Sequence, residues 1–463
     1  MQTAFGRIPL LKGEVAAKRR VRGEDSRSAP LTRRPSGDGR RPLPSGEVYF
    51  RLSNRAEVSH DGAVTQSERL RHVELIVLLG AVTAFAPMSI DMYLPALPVL
   101  GDEYGAAPGH VQLSVASFFL GLAIGQGFYG PLSDRFGRTR PLFAGLTLFV
   151  FASVACAMSP SINFLIVVRF FQALGACSGQ VISRAIVRDL FEPREAVQVF
   201  SLLVLVMGVS PVLAPLLGGQ ILQWYPWRMI FWVIAALGAT GLVGILLRLR
   251  ETHHGHHKKL VIGNVFRTYG ELLRDRAFLG HVLTGGMAMA GMFAYIVGSP
   301  YVFIQHFHVS TAHFGIFFGV NALGLVMAAQ LNARLVRRFT SDQIIRKVLT
   351  IQVSSGLLLL AGVWTGILQL YGVAIFIFIY VACVGCLFPN INAMAMAPHG
   401  TRAGSASALI GVIQFTLAAA SASLIGAVNS GAALPVAVLI GICGVIAAVL
   451  YRSMVMAAGT ANA

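Results

Sequence analysis

The sequence predicts an all-α membrane protein with twelve transmembrane helices in two pseudo-symmetric six-helix bundles. Three observations carry that prediction. Of 463 residues, 55% are apolar and 12% are charged, about half the charged share of a soluble globular domain. From Val73 onward, apolar stretches long enough to cross a hydrocarbon core, about 20 residues each, follow one another with short polar breaks. A segment also recurs at a constant offset of 199: Gly125 to Arg135 is echoed by Gly324 to Arg334, aligning Gly125 with Gly324, Leu132 with Leu331 and Arg135 with Arg334.

Taken in order, residues 1–70 are rich in Arg, Pro, Gly and Ser and have no sustained apolar period. Such a segment buries too little surface to offset its ordering entropy, so a disordered basic cytoplasmic tail is expected. It lacks the apolar core of a secretory signal. No Met lies between Met1 and Met88, so if the start is miscalled, the true one uses a non-Met codon such as that of Val58 or Val64. The spans are expected at 73–97, 111–133, 141–158, 162–183, 197–223, 228–248, 278–304, 312–333, 345–366, 370–394, 403–427 and 433–451. They form an N-terminal bundle over 71–248 and a C-terminal bundle over 278–452. A cytoplasmic linker over 249–277 joins the two, and a short tail over 453–463 follows.

The formal charge of +17 invites a nucleic-acid reading, which the distribution removes. Fifteen Lys and Arg against eight Asp and Glu precede Val73. In the body, the loops after spans 2, 4, 6, 8 and 10 carry the basic residues (among them Arg138, Arg188, Arg250, Arg337 and Arg402), while the intervening loops carry almost none. Lys and Arg stay on the cytoplasmic side, so both termini are expected there, in a bacterial inner membrane. The positive charge is topological, and the expected partner is the bilayer.

Of the twelve acids after His72, only Asp91 falls well inside a span, and Arg169 is the only basic residue equally deep. An acid at a helix centre costs about 2.5 to 3.5 kcal/mol on insertion scales, so its retention needs a partner or a purpose. At 1.5 Å per residue, Asp91 lies roughly 9 Å and Arg169 roughly 10 Å from the outer ends of spans 1 and 4. The two could meet.

The stretch Gly130-Pro131-Leu132-Ser133-Asp134-Arg135-Phe136-Gly137-Arg138 resembles the signature loop of the major facilitator superfamily. Ile90 to Pro98, Arg169 to Gly175 and Arg184 to Asp189 are similar to its bicyclomycin- and chloramphenicol-resistance branch of drug:proton antiporters. Ala214-Pro215-Leu216-Leu217-Gly218-Gly219 looks like the antiporter motif of span 5 (Pro215, Gly218 and Gly219), although Ala214 stands where the general pattern has Gly. The resemblance covers about residues 70 to 452. It implies spans 1, 4, 7 and 10 around a central cavity, and a gating loop of Gly130, Asp134, Arg135, Gly137 and Arg138 whose Asp134 contacts the start of span 11 near Arg402. Asp91, with Arg169 beside it, becomes the expected proton-coupling acid; the alternative is a static ion pair that stiffens the N-terminal half. Candidate cavity residues are Met88, Tyr93, Gln172, Met207, Ser210, Phe293, Tyr295, Tyr380, Asn390 and Gln414, with Phe388 and Asn392 beside them.

Other signals carry less. His253-His254-Gly255-His256-His257 has no carboxylate or Cys cluster to set a metal geometry, and all five Cys lie in spans. No phosphate-binding loop, serine-hydrolase elbow or zinc spacing occurs, so neither an enzyme nor an ATP-driven pump is expected, and no cofactor or metal is implied. The expectation is a monomeric, proton-coupled exporter of small amphipathic drugs working by alternating access. The alternatives are a metabolite exporter or symporter of the same fold, and a membrane sensor or scaffold.

Overall fold

A computed structural model describes residues 66–252, 262–428 and 433–456. The expectations for the tail up to residue 65, the histidine run at 253–257 and residues 457–463 lie outside them. Twelve helices among the described residues are long and apolar enough to cross a membrane. The first is broken: α1 (Gln66–Asp91) gives way to a 3-10 turn (Leu94–Ala96) and then α2 (Leu97–Tyr104). Pro95 favours the break, because it has no N–H to continue the ladder, whereas Pro98 sits in the first turn of α2, where a missing N–H is tolerated. α3 (Pro108–Phe136), α4 (Thr139–Ala157), α5 (Ile162–Leu190), α6 (Pro193–Trp224) and α7 (Arg228–Arg248) complete the first six spans. α9 (Arg276–Pro300), α10 (Thr311–Leu335), α11 (Ser341–Trp364), α12 (Leu370–Met396), α13 (Ala403–Val428) and α14 (Ala433–Leu450) make the second six.

The linker was expected as a polar loop, but it holds a helix, α8 (Ile262–Arg274). Val265, Tyr269 and Leu272 recur at helical spacing on one face, and Leu272 is buried beside Phe278, Ala406 and Leu409. That stripe is amphipathic and too short to cross a bilayer.

The internal repeat appears as equivalent packing. Gly125 brings α3 against Cys177 of α5, and Gly324 brings α10 against Phe378 of α12. The first six spans pack on one another, as do the second six, and the two sets meet mainly along α3 with α13 and α6 with α10. At the end away from the basic loops these contacts are backbone on backbone. A methyl group on Gly109 would overlap the carbonyl of Gly426, and one on Gly219 would reach the carbonyl of Thr311.

Candidate transport site

Between the two sets lies a cavity of about 240 Å³. α1 contributes Pro87 and Asp91, α6 Met207 and Pro211, α9 Met292, Phe293 and Tyr295, and α10 Phe318 and Asn321. α3, α5, α12 and α13 add one residue each: Leu122, Gln180, Val381 and Phe415. Spans 4 and 10 thus contribute far less than the resemblance implies. Toward the sealed end, Phe119 packs against Phe293 with ring centroids 4.6 Å apart, and Phe415 against both.

Asp91 is the last residue of α1 and is 4% exposed. No described residue reaches its carboxylate with a hydrogen bond or an ion pair. Tyr295, on the same cavity wall, accepts a hydrogen bond at 2.8 Å from Nδ2 of Asn321. An acid of this kind keeps its charge only at a large desolvation cost.

Arg169 does not pair with Asp91, which corrects the expectation drawn from their depths. Its fully buried guanidinium donates from Nη1 to the Ser89 carbonyl at 3.0 Å and to Oε1 of Gln172 at 2.7 Å. It also lies over the rings of Phe118 (4.2 Å) and Tyr93 (4.7 Å). The Ser89 carbonyl is available because the helix ends there: the Tyr93 amide donates to Ile90 instead. Arg169 therefore caps the broken end of α1, where orphan carbonyls and the helix dipole favour a cation.

Of the other cavity candidates, Met207, Phe293 and Tyr295 line the cavity. Tyr93 and Gln172 belong to the Arg169 brace, the first bonded to Ser114 and the second also to Ser153. Tyr380 donates to the Ala288 carbonyl, and Asn390 donates to Asn332 and to the Cys386 carbonyl. Ser210 and Gln414 are buried, and Met88 packs against the core. None of these seven, nor Phe388 or Asn392, lines the cavity. Gln180, Asn321 and Phe415 line it and were not anticipated.

At the basic end, Arg138 anchors the signature loop. It pairs with Asp134 at 2.5 Å and Asp189 at 2.8 Å, and Glu251 accepts from the backbone amides of Arg138 and Thr139, capping the start of α4. Burial alone would lower the Arg138 pKa, but the hydrogen bonds to Asp189 and Asp134 raise it. Gly137 sits at φ +83°, with Glu251 where a side chain would go. Asp134 is not bonded to the start of α13, contrary to the implied contact, although both border a chamber of about 570 Å³ together with Gly130 and Arg402. Arg402 pairs with Glu271 of α8 at 2.6 Å. The Arg135 guanidinium lies over Phe136, beside a separate apolar groove. Pro215, Gly218 and Gly219 sit toward the sealed end, where Gly218 abuts the carbonyl of Met92 at the break of α1. Asp189, Glu251 and Glu271 were missed, since as loop-side acids they look like solvated charge. No metal-binding cluster occurs among the described residues.

An acid-bearing cavity between two six-helix sets, with a braced loop at one end, defines a multi-pass membrane transporter of small molecules. The chain belongs to the Major Facilitator Superfamily, which matches residues 79–423. It is 38% identical over 359 residues to an uncharacterized MFS-type transporter, YdgK, of Bacillus subtilis, covering 77% of this chain and 88% of that one. It is 29% identical over 347 residues to a bicyclomycin resistance protein homolog of Haemophilus influenzae, covering 74% and 86% respectively. Among solved structures, a D-xylose-proton symporter superposes with a TM-score of 0.67 at 17% identity, covering 83% of this chain and 98% of that one.

Proposed function

We propose that the chain is a proton-coupled exporter of small amphipathic drugs in the bacterial inner membrane, of the bicyclomycin- and chloramphenicol-resistance branch, working by alternating access. The observation that carries the reading is Asp91, a buried acid without a partner among the described residues, on the wall of a largely apolar cavity between the two halves. Drug-sized pockets combine such walls with few polar groups. The likeness to the Haemophilus resistance protein homolog supports the branch. With the basic loops on the cytoplasmic side, the sealed end faces outward and the polar chamber opens inward. Substrate enters from the cytoplasm, and a proton arriving from outside restores neutral Asp91. One proton moving through 100 mV supplies about 2.3 kcal/mol.

The test is efflux of a fluorescent drug from cells expressing the chain, with and without an uncoupler. Wild-type efflux should collapse with the uncoupler, and Asp91→Asn should be inactive in both conditions. Coupled efflux by Asp91→Asn at the wild-type rate would remove Asp91 from this role.

A further inference from the structure

Most charged side chains around the chamber at the basic end are matched: Arg138 by Asp134 and Asp189, and Arg402 by Glu271. Arg184 and Arg188 are not. Both line the chamber, and among the described residues neither guanidinium has a carboxylate or a hydrogen-bond acceptor. They stand one turn apart on the same face of α5, so their charges reinforce each other. Arg184 is half-buried, roughly 9 Å inside the end of that helix. Across from them lies the first turn of α13, Ala403 to Ser405, whose positive dipole end also favours an anion.

We propose that this chamber binds the carboxylate or phosphate end of a small organic anion, with Arg184 as the inner contact and Arg188 at the mouth. The carrier consequently favours anionic and neutral amphiphiles over lipophilic cations. The binding stands on the chamber alone; the selectivity rests on the transport reading above. A guanidinium presents a planar fork of donors that matches carboxylate and phosphate oxygens. A concave wall on which Arg138, Arg184, Arg188 and Arg402 outnumber the single acid Asp134 concentrates such anions and disfavours cations before they reach the central cavity. At about 570 Å³ the chamber has the size of a site for a drug-sized molecule.

The test is equilibrium binding to the full chain in detergent, read by fluorescence anisotropy with two dyes of one ring system: fluorescein, which carries a carboxylate, and the cationic rhodamine 6G. Wild type should bind fluorescein more tightly, and sulfate should displace it at constant ionic strength. Arg184→Gln should weaken fluorescein binding about tenfold or more, Arg188→Gln should weaken it less, and Arg184→Lys should restore most of it. Arg337→Gln, at an exposed basic residue outside the chamber, should leave it unchanged. Equal affinity for the two dyes would overturn the assignment, as would wild-type fluorescein binding in the double Gln variant or an equal fall with Arg337→Gln. Failure of sulfate to compete overturns it in wild type, even if the Arg184 variants do not fold.

Discussion

Replacing Arg169 by Met separates two roles for a buried arginine, as the partner of Asp91 or as the brace of the broken first helix. The brace consists of two hydrogen bonds, to the Ser89 carbonyl and to Gln172, and two close aromatic faces. Hydrogen bonds to charged groups contribute about 1.5–3 kcal/mol each, and desolvated cation–π contacts up to about 2. Against these stands the effective cost of burying the guanidinium, several kcal/mol. Met fills similar volume but leaves the Ser89 carbonyl and Oε1 of Gln172 without their charged donor, so a net loss of about 2–4 kcal/mol is expected, most of it from those two acceptors. Asp91→Asn removes no hydrogen bond and no ion pair, so stability should hold or rise slightly. The decisive quantity is the double-mutant cycle, read by denaturant unfolding in detergent. Groups that share no partner couple by about 0.5 kcal/mol or less. A coupling above about 2 kcal/mol would mean that the two charges pair in the resting protein, and the brace would be refuted.

Three further outcomes follow from the packing. Gly109→Ala should force α3 away from Gly426 and open the sealed end; maleimide labelling of a cysteine placed at Tyr301 should rise severalfold over a low background, since all five native thiols are buried, and unchanged labelling would contradict the seal. Tyr269 donates to the Gly127 carbonyl, the acceptor that Pro131 cannot use because it has no N–H. Tyr269→Phe should therefore cost about 1 kcal/mol and speed amide exchange in α8, with Pro131→Ala offsetting part of the loss. Hydrogen bonding by Arg267 and the nearby charge of Arg402 hold the Glu271 carboxyl below its ordinary pKa. Its tether on α8 is thus complete above the usual glutamate range and lost as pH falls through the lowered value. Exchange protection of α8 should be flat from about pH 8 to 5 and drop below about 4, and Glu271→Gln should show the low-pH behaviour at pH 7.

Helix number and order were legible because a bilayer leaves the backbone few alternatives and demands long apolar runs. The linker helix was not, because its apolar residues repeat at helical spacing over a stretch too short to stand out from a polar background. The depth of Asp91 and Arg169 was legible, since any charge inside a span is conspicuous. Their separation was not: depth is one coordinate, and the direction in which Arg169 turns depends on which carbonyl the Pro95 break leaves free. The same limit explains the cavity. Tyr93, Gln172, Tyr380 and Asn390 look like substrate ligands in a sequence, yet each is committed to an interhelical or backbone hydrogen bond. Polar groups in lipid take the nearest protein partner, and nothing in the sequence distinguishes them from Asn321, which borders the cavity.

The two ends of the bundle are held by interactions of different kinds, and this constrains how the halves can move. The sealed end is shut by backbone contacts that no rotamer change relieves, at Gly109 with Gly426 and Gly219 with Thr311. The basic end is spanned by side chains of α8, Tyr269 to Gly127 of the first half and Glu271 to Arg402 of the second, while Arg138 and its two acids brace the first half alone. In the proposed alternating-access cycle, rocking the α3/α13 and α6/α10 pairs apart at the sealed end would close the chamber and would bring the first turn of α13 nearer Asp134. That carboxylate is 66% exposed and, among the described residues, paired only with Arg138. Exchanging this exposed pair, worth about 0–1 kcal/mol, for a place at a helix N-terminus, worth about 0.3–1 kcal/mol, is close to neutral, while Arg138 keeps Asp189 throughout. In that proposed cycle the signature loop would act as a toggle and not a lock. Its two settings would then differ by less than the roughly 2.3 kcal/mol that one proton supplies across 100 mV, and a gate biased more strongly than that could not be turned over by a single proton.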